Sequence, residues 1–179
     1  MSSMPAQRPG HSKQDYCTPP EFLTAVKRRL DIVDFEFDLA ASENNKVNKW
    51  GDYFTEEDNA LNRSWAVLGW EPDTYWLWCN PPYNDLAAWT CKAATESKAA
   101  PVGSGAYVAM LVPASTGANW WRDHVVNDAY VLFLNGRLTF VGADGPYPKD
   151  LVLLLYTPFI RSGNAIWNWR ADVPAVSSE

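Results

Sequence analysis

Metal ligands are scarce in this chain. Its 179 residues hold three cysteines, Cys17, Cys79 and Cys91, and two histidines, His11 and His124. None falls at the short spacings that assemble a metal site, so metal catalysis is not expected. Long apolar runs are missing too. The opening stretch, Met1 to Ser12, is polar, with Pro5, Pro9 and Gly10, and contains no apolar signal core. No other stretch is long enough to span a bilayer, which predicts a soluble, cytoplasmic protein that meets no membrane. Positive charge is the third shortage. Lys and Arg total 15 against 21 Asp and Glu, a net charge of −6 and a pI near 4.9. DNA binders usually present a basic face. Any contact with DNA therefore rests on a few local cations, such as Lys27-Arg28-Arg29 or Lys46 and Lys49, and on short-range contacts. What is abundant is apolar and aromatic content, 47% and 14%. That suffices for one domain with a substantial core.

The pattern alternates strands with helices. Residues 1–14 read as a flexible arm, and Thr18-Pro19-Pro20-Glu21 as a helix start, with Thr18 as cap and the helix running to Leu30. A strand is predicted near Phe35 to Ala40, then loop from Ser42 to Trp50 and an irregular stretch from Leu61 to Thr74 broken by Gly69 and Pro72. Strand Tyr75 to Cys79, a helix after Asn84, strand Ala106 to Val112, a helix from Asn119 to Asn127 and strand Ala129 to Leu134 alternate as βαβ units do, which implies parallel pairing. Beyond Gly136-Arg137, a short strand and a turn over Gly142 to Pro148 lead to Leu151 to Tyr156, expected to return antiparallel to its neighbour. Residues 161–179 show little pattern despite Trp167 and Trp169. They read as a loosely packed extension to a domain spanning 15–160.

The most informative stretch is Asn80-Pro81-Pro82-Tyr83, which follows the apolar run Tyr75-Trp76-Leu77-Trp78-Cys79 and precedes a helix. In an open α/β sheet the ligand crevice lies at the carboxyl ends of the strands. An amide side chain and the carbonyl before a proline can both accept hydrogen bonds from an exocyclic amino group. The prolines fix the backbone direction. Tyr83 offers a flat face for a planar base. An ordinary strand-to-helix turn has the same composition, so the chemistry needs this context. Arg137, a lone cation between apolar runs, calls for an anionic partner, a phosphate or a carboxylate; an internal salt bridge is the alternative. Of the ten tryptophans, Trp120, beside Trp121, is a candidate for stacking on a base, although aromatics at helical spacing are usually core.

These residues resemble the small bacteriophage-type DNA N-6-adenine methyltransferases related to Dam. The resemblance rests on Asp15-Tyr16-Cys17-Thr18-Pro19, Phe37-Asp38-Leu39-Ala40-Ala41, Tyr53-Phe54-Thr55-Glu56-Glu57-Asp58, Trp78-Cys79-Asn80-Pro81-Pro82-Tyr83, Leu111-Val112-Pro113 before Trp120-Trp121, and Gly136-Arg137-Leu138-Thr139-Phe140. It runs in order from about Asp15 to Phe159. It implies a Rossmann-like, S-adenosylmethionine-dependent methyltransferase fold, mostly parallel with an antiparallel C-terminal strand. It also implies methyl transfer to the exocyclic amine of a flipped adenine in double-stranded DNA, with Asn80, Pro81, Pro82 and Tyr83 catalytic. By the same resemblance Tyr16, Thr18, Pro19, Asp38, Ala40 and Asp58 hold S-adenosylmethionine, and Arg137 and Trp120 meet the substrate. A monomer is expected, in the cytoplasm of a bacterial host if the protein is phage-encoded. The chain departs from the wider methyltransferase pattern in having no Gly-x-Gly after the first strand. Taken as residues alone, Asp38 also fits a turn or cap, Asp58 a solvated charge run, and Thr18-Pro19 a helix start. A protein glutamine-N5 methyltransferase with a similar loop, and a non-catalytic module of the same fold, stand as alternatives.

Overall fold

Both faces of the sheet are covered, which is why its central strands read as unbroken apolar runs. The computed structural model describes residues 17–42, 47, 51–66, 68, 75–98, 105–159 and 162–174. The arm expected at 1–14, and Tyr16, Lys46 and Lys49, lie outside the described residues. Helix α1 (Pro20–Leu30) comes first, then strands β1 (Phe37–Asp38) and β2 (Leu77–Cys79) and helix α2 (Leu86–Glu96). Strand β3 (Val108–Pro113), helix α3 (Asn119–His124) and strands β4 (Ala129–Leu134), β5 (Leu151–Tyr156) and β6 (Gly163–Trp167) follow. Short 3₁₀ turns occupy Ala60–Asn62 and Trp169–Asp172.

The six strands are ordered β1-β2-β3-β5-β4-β6. Pairs β1–β2, β2–β3 and β4–β6 are parallel, and β5 is antiparallel to both β3 and β4. Side chains alternate between faces along each strand. Leu77, Cys79, Met110, Val112, Val152 and Leu154 meet α2 and α3 through Leu86, Trp89, Ala93 and Trp121. Trp78, Ala109, Leu111, Leu151 and Leu153 meet α1 through Phe22, Leu23, Ala25 and Val26.

Three expectations are corrected. Thr18 does not cap α1. Pro19 occupies that position and makes no side-chain cap, its carbonyl accepting from the Phe22 and Leu23 N–H groups at 3.0 and 3.1 Å. The short strand after Arg137 does not form. Leu138 and Phe140 are buried beneath α1 instead, and Val141 makes only an isolated bridge to Cys17. The antiparallel strand is not the last one, because β5 inserts between β3 and β4 and β6 follows it, parallel to β4.

The tail is no loose extension either. Trp167 and Trp169 are buried; the Trp167 Nε1–H donates to Asp172 Oδ2 at 2.7 Å and the Trp169 Nε1–H to the Gly136 carbonyl at 3.1 Å. The Phe22 ring lies 5.8 and 5.4 Å from the two indoles. The signal was weak because β6 is an edge strand, with Gly163, Asn164 and Ile166 exposed. Replacing Trp167 with Ala should therefore cost about 3–5 kcal/mol, as large core truncations do. Urea unfolding checks this, since a solvated tail would give a change within about 0.5 kcal/mol.

Candidate active site

Because β1, β2, β3, β4 and β6 all run one way, their carboxyl ends form one edge, where a crevice is expected in an open α/β sheet. Register aligns Asp38 with Trp78, so the end of β1 sits beside the Asn80 loop. The sheet is extended past β1 by residues 52–54. The Asp38 N–H donates to the Asp52 carbonyl at 3.0 Å, the Phe54 N–H to the Asp38 carbonyl at 2.8 Å and the Ala41 N–H to the Phe54 carbonyl at 2.9 Å.

Asp38 is 1% exposed. Its Oδ1 accepts from the Ala40 N–H at 3.1 Å, so the carboxylate itself closes the turn after β1. Its Oδ2 is buried without a hydrogen-bond partner among the described residues. Burial pushes its pKa from 3.8 up to about 7, against the smaller opposing effect of the Ala40 bond. The neighbouring Cys79 thiol is buried, and burial, reinforced by Asp38, pushes its pKa well up, so it is an inert core thiol.

At the end of β2, Asn80 is tied on both sides. Its Nδ2 donates to Thr18 Oγ1 at 3.3 Å and its Oδ1 accepts from the Tyr83 hydroxyl at 3.1 Å. Pro81 is buried. The Pro82 carbonyl accepts from the Asp85 N–H at 3.4 Å, whereas no described N–H bonds the Pro81 carbonyl. The Tyr83 ring packs against both cores and edge-on to Tyr147, with centroids 5.7 Å apart. Burial, and secondarily Tyr147 and Cys79, hold its phenol well above the ordinary value, so it remains a donor. Tyr147 was not anticipated from the sequence. The restrained turn Gly145-Pro146-Tyr147-Pro148 was the available hint.

The other predicted residues are less concentrated. Thr18 and Pro19 are buried next to Asn80, and Ala40 is half-buried beside Asp38. Asp58 closes its own turn, Oδ2 accepting from the Thr55 N–H at 2.8 Å and the Thr55 hydroxyl at 2.9 Å. Those two bonds, the backbone one first, hold its pKa below the ordinary value. Trp120 is half-buried on the core and tilted against Trp121 at 5.6 Å. Arg137 is exposed, and its Nε is 3.9 Å from Oδ1 of Asp150, itself 81% exposed. A pair so open is worth little to the fold.

Asp38 makes stability depend on pH with a definite sign. The native state holds this proton up to about pH 7 and the unfolded chain releases it near 3.8. The folded form therefore binds more protons between those values, and stability falls as pH rises through that window and levels above it, by at most roughly 4 kcal/mol. Asp38→Asn should flatten that decline relative to the parent protein, whatever its absolute stability. Urea midpoints measured from pH 4 to 8 check this, and parallel curves would refute it.

A comparison with curated proteins finds no match. The family model for DNA N-6-adenine-methyltransferase (Dam) matches residues 6–160, which take in Asp38, the Asn80 to Tyr83 loop and Arg137 and stop before β6. A match over that much of the sequence, centred on the edge where the polar side chains converge, places the chain in the DNA N-6-adenine-methyltransferase (Dam) family.

Proposed function

We propose that the chain transfers a methyl group from S-adenosylmethionine to the exocyclic N6 of an adenine turned out of double-stranded DNA, within a Rossmann-like methyltransferase domain. The observation that carries this reading is Asn80, fixed at the carboxyl end of β2 by Thr18 on one side and Tyr83 on the other. A carbonyl-type oxygen has two lone pairs. Asn80 Oδ1 therefore keeps one acceptor site beyond the Tyr83 hydroxyl, and the Pro81 carbonyl supplies another. Two acceptors match the two hydrogens of an adenine amino group and leave its nitrogen lone pair facing outward. As positive charge builds on that nitrogen, both hydrogen bonds strengthen. Held in this geometry, the amine needs no strong base, and its proton leaves to water after transfer. Tyr83 keeps its own proton, orients Asn80 and presents a ring to the base. The adenine must leave the stack, because its N6 is out of reach within a duplex.

The residues also fit the methyl donor. S-adenosylmethionine, when bound, supplies a methyl group on a sulfonium centre. A buried carboxylate oxygen without a donor is costly, and the Oδ2 of Asp38 is such a group; a cationic ammonium satisfies it. Thr18, Pro19, Ala40 and Tyr16 complete that side of the site in this reading, with Asp58 toward the nucleoside part. Trp120 and Arg137 lie on the substrate side. Transfer of labelled methyl to duplex DNA, recovered as N6-methyladenine, tests the whole; labelling of protein in place of DNA would overturn it.

Variants at Asn80, Tyr83 and Asp38 separate these roles. Asn80→Ala should lower kcat by about 10²–10³-fold with cofactor affinity little changed, because the lost acceptor works mainly in the transition state. Tyr83→Phe, which keeps the ring, should cost less than Tyr83→Ala, which forfeits stacking worth roughly 1–3 kcal/mol; equal damage from both would shift the role to the hydroxyl. Asp38→Ala should weaken S-adenosylmethionine binding in titration calorimetry, since a charge-assisted contact is lost. The parent protein should release a proton on binding at pH 6, because a cation held at Asp38 favours its ionised form. Unchanged affinity and no proton release would place the cofactor elsewhere.

A further inference from the structure

Outside the span matched by the family, the turn after β6 carries an arginine with an unusual setting. The Arg170 guanidinium lies over the Trp169 ring, 4.3 Å from its centroid, and its Nη2 donates to the Arg137 carbonyl at 2.9 Å. It also rests directly above Gly136, whose φ of +98° suits glycine, and a Cβ there would collide with it. The side chain is exposed, and no carboxylate pairs with it among the described residues. A guanidinium has five N–H donors, and one of them is used by the Arg137 carbonyl. Holding a cation rigid without an anion is a cost that a ligand anion removes.

Its location says which anion. Arg137 follows β4 and Arg170 follows β6, so both stand on the edge that carries Asn80 and Asp38. Three and four strand spacings separate them from β2, on the order of 15–20 Å. That is the reach of a groove and its flanking backbone around a flipped base. Beside Arg170 opens a cleft of about 400 Å³ lined by Pro19, Leu138, Thr139, Trp169 and Arg170 itself; Pro19 follows Thr18, which bonds Asn80. Glu21 also lines it, and Asp150 lies 3.9 Å from Arg137. Those carboxylates repel a phosphate, so contacts here have to be few and directed rather than a broad basic field.

We propose that Arg137 and Arg170 form a phosphate clamp for the DNA backbone, with Trp169 and Gly136 pre-organising Arg170. The clamp rests on the reading of the Asn80 loop as the base-binding site. It gives a net-acidic protein two cations where the duplex meets it, Arg170 held in place, and makes the segment 163–174 part of the substrate-binding surface.

Anisotropy titrations of a labelled duplex with the full chain across a salt series test this, with melting temperature measured alongside. Arg170→Gln and Arg137→Gln should each make the slope of log K against log salt shallower by about 0.9, and the double variant by about twice that. Arg170→Lys should keep most of the slope, because it keeps the charge. An unchanged slope in folded R170Q, with or without a lower melting temperature, would overturn the clamp and make Arg170 a brace for Trp169. Should R170Q fail to fold, modification of the parent protein by an arginine-selective dicarbonyl decides. Protection of Arg170 by duplex, read by peptide mass spectrometry, supports the clamp, and equal labelling with and without DNA refutes it. A normal slope change in a protein that transfers no methyl group to adenine would sink the enzymatic reading and leave the clamp standing. Normal transfer with an unchanged slope would do the reverse.

Discussion

The pairing of β5 is the constraint on which the rest of the molecule depends. Six of its residues register with β3 and five with β4, in antiparallel ladders on both sides. By filling the place between two strands that run the same way, it joins the β1-β2-β3 half to the β4-β6 half without reversing either. Every other strand then ends at one edge. A strand of this kind must be apolar on both faces, and Leu151 to Leu154 are buried. Had β4 paired directly with β3, Gly136, Arg137 and the β6 turn would sit one strand closer to Asn80.

At that edge the candidate site combines restraint with a buried carboxylate oxygen that has no hydrogen-bond partner among the described residues. Asn80 is held from two directions, Tyr83 is wedged between both cores and Tyr147, and the prolines stiffen the connection. Such groups lose little entropy when a ligand arrives. Asp38 is the opposite case, a buried carboxyl whose Oδ2 has no donor among the described residues, with its proton retained to about pH 7. Structures tolerate groups like this at functional sites and rarely elsewhere. The combination suits chemistry in which little must move and one positive charge must be received.

The net charge of −6 shapes how such a protein meets DNA. Long-range steering of a polyanion toward it is weak, so contact with DNA has to come from local cations and short-range interactions. The segment carrying Arg170 also carries Trp167 and Trp169, which close the core against Phe22. One short stretch of chain thus carries both indoles that close the core and the exposed guanidinium of Arg170.

The sequence by itself determined the elements and the loop that matter most. β4 and β5 form where their apolar runs lie, α1 begins at its prolines, and Asn80 to Tyr83 leaves a buried strand for a helix as local composition requires. Those features rest on periodicity and on backbone restriction by proline, both local. What lies beyond local pattern was decided by tertiary structure. Thr18 reads as a cap but bonds Asn80, 62 residues away. The stretch after Arg137 reads as a short strand, yet its Leu138 and Phe140 fill the space beneath α1. The tail reads as loose because most of β6 is exposed, Gly163, Asn164 and Ile166 included, and only packing against Phe22 and the Gly136 turn buries the indoles. The partner of Tyr83, the orphaned oxygen of Asp38 and the seat of Arg170 over Gly136 all depend on which chain segments meet. Burial and hydrogen bonding across long separations are properties of the packed chain, and no window of sequence contains them.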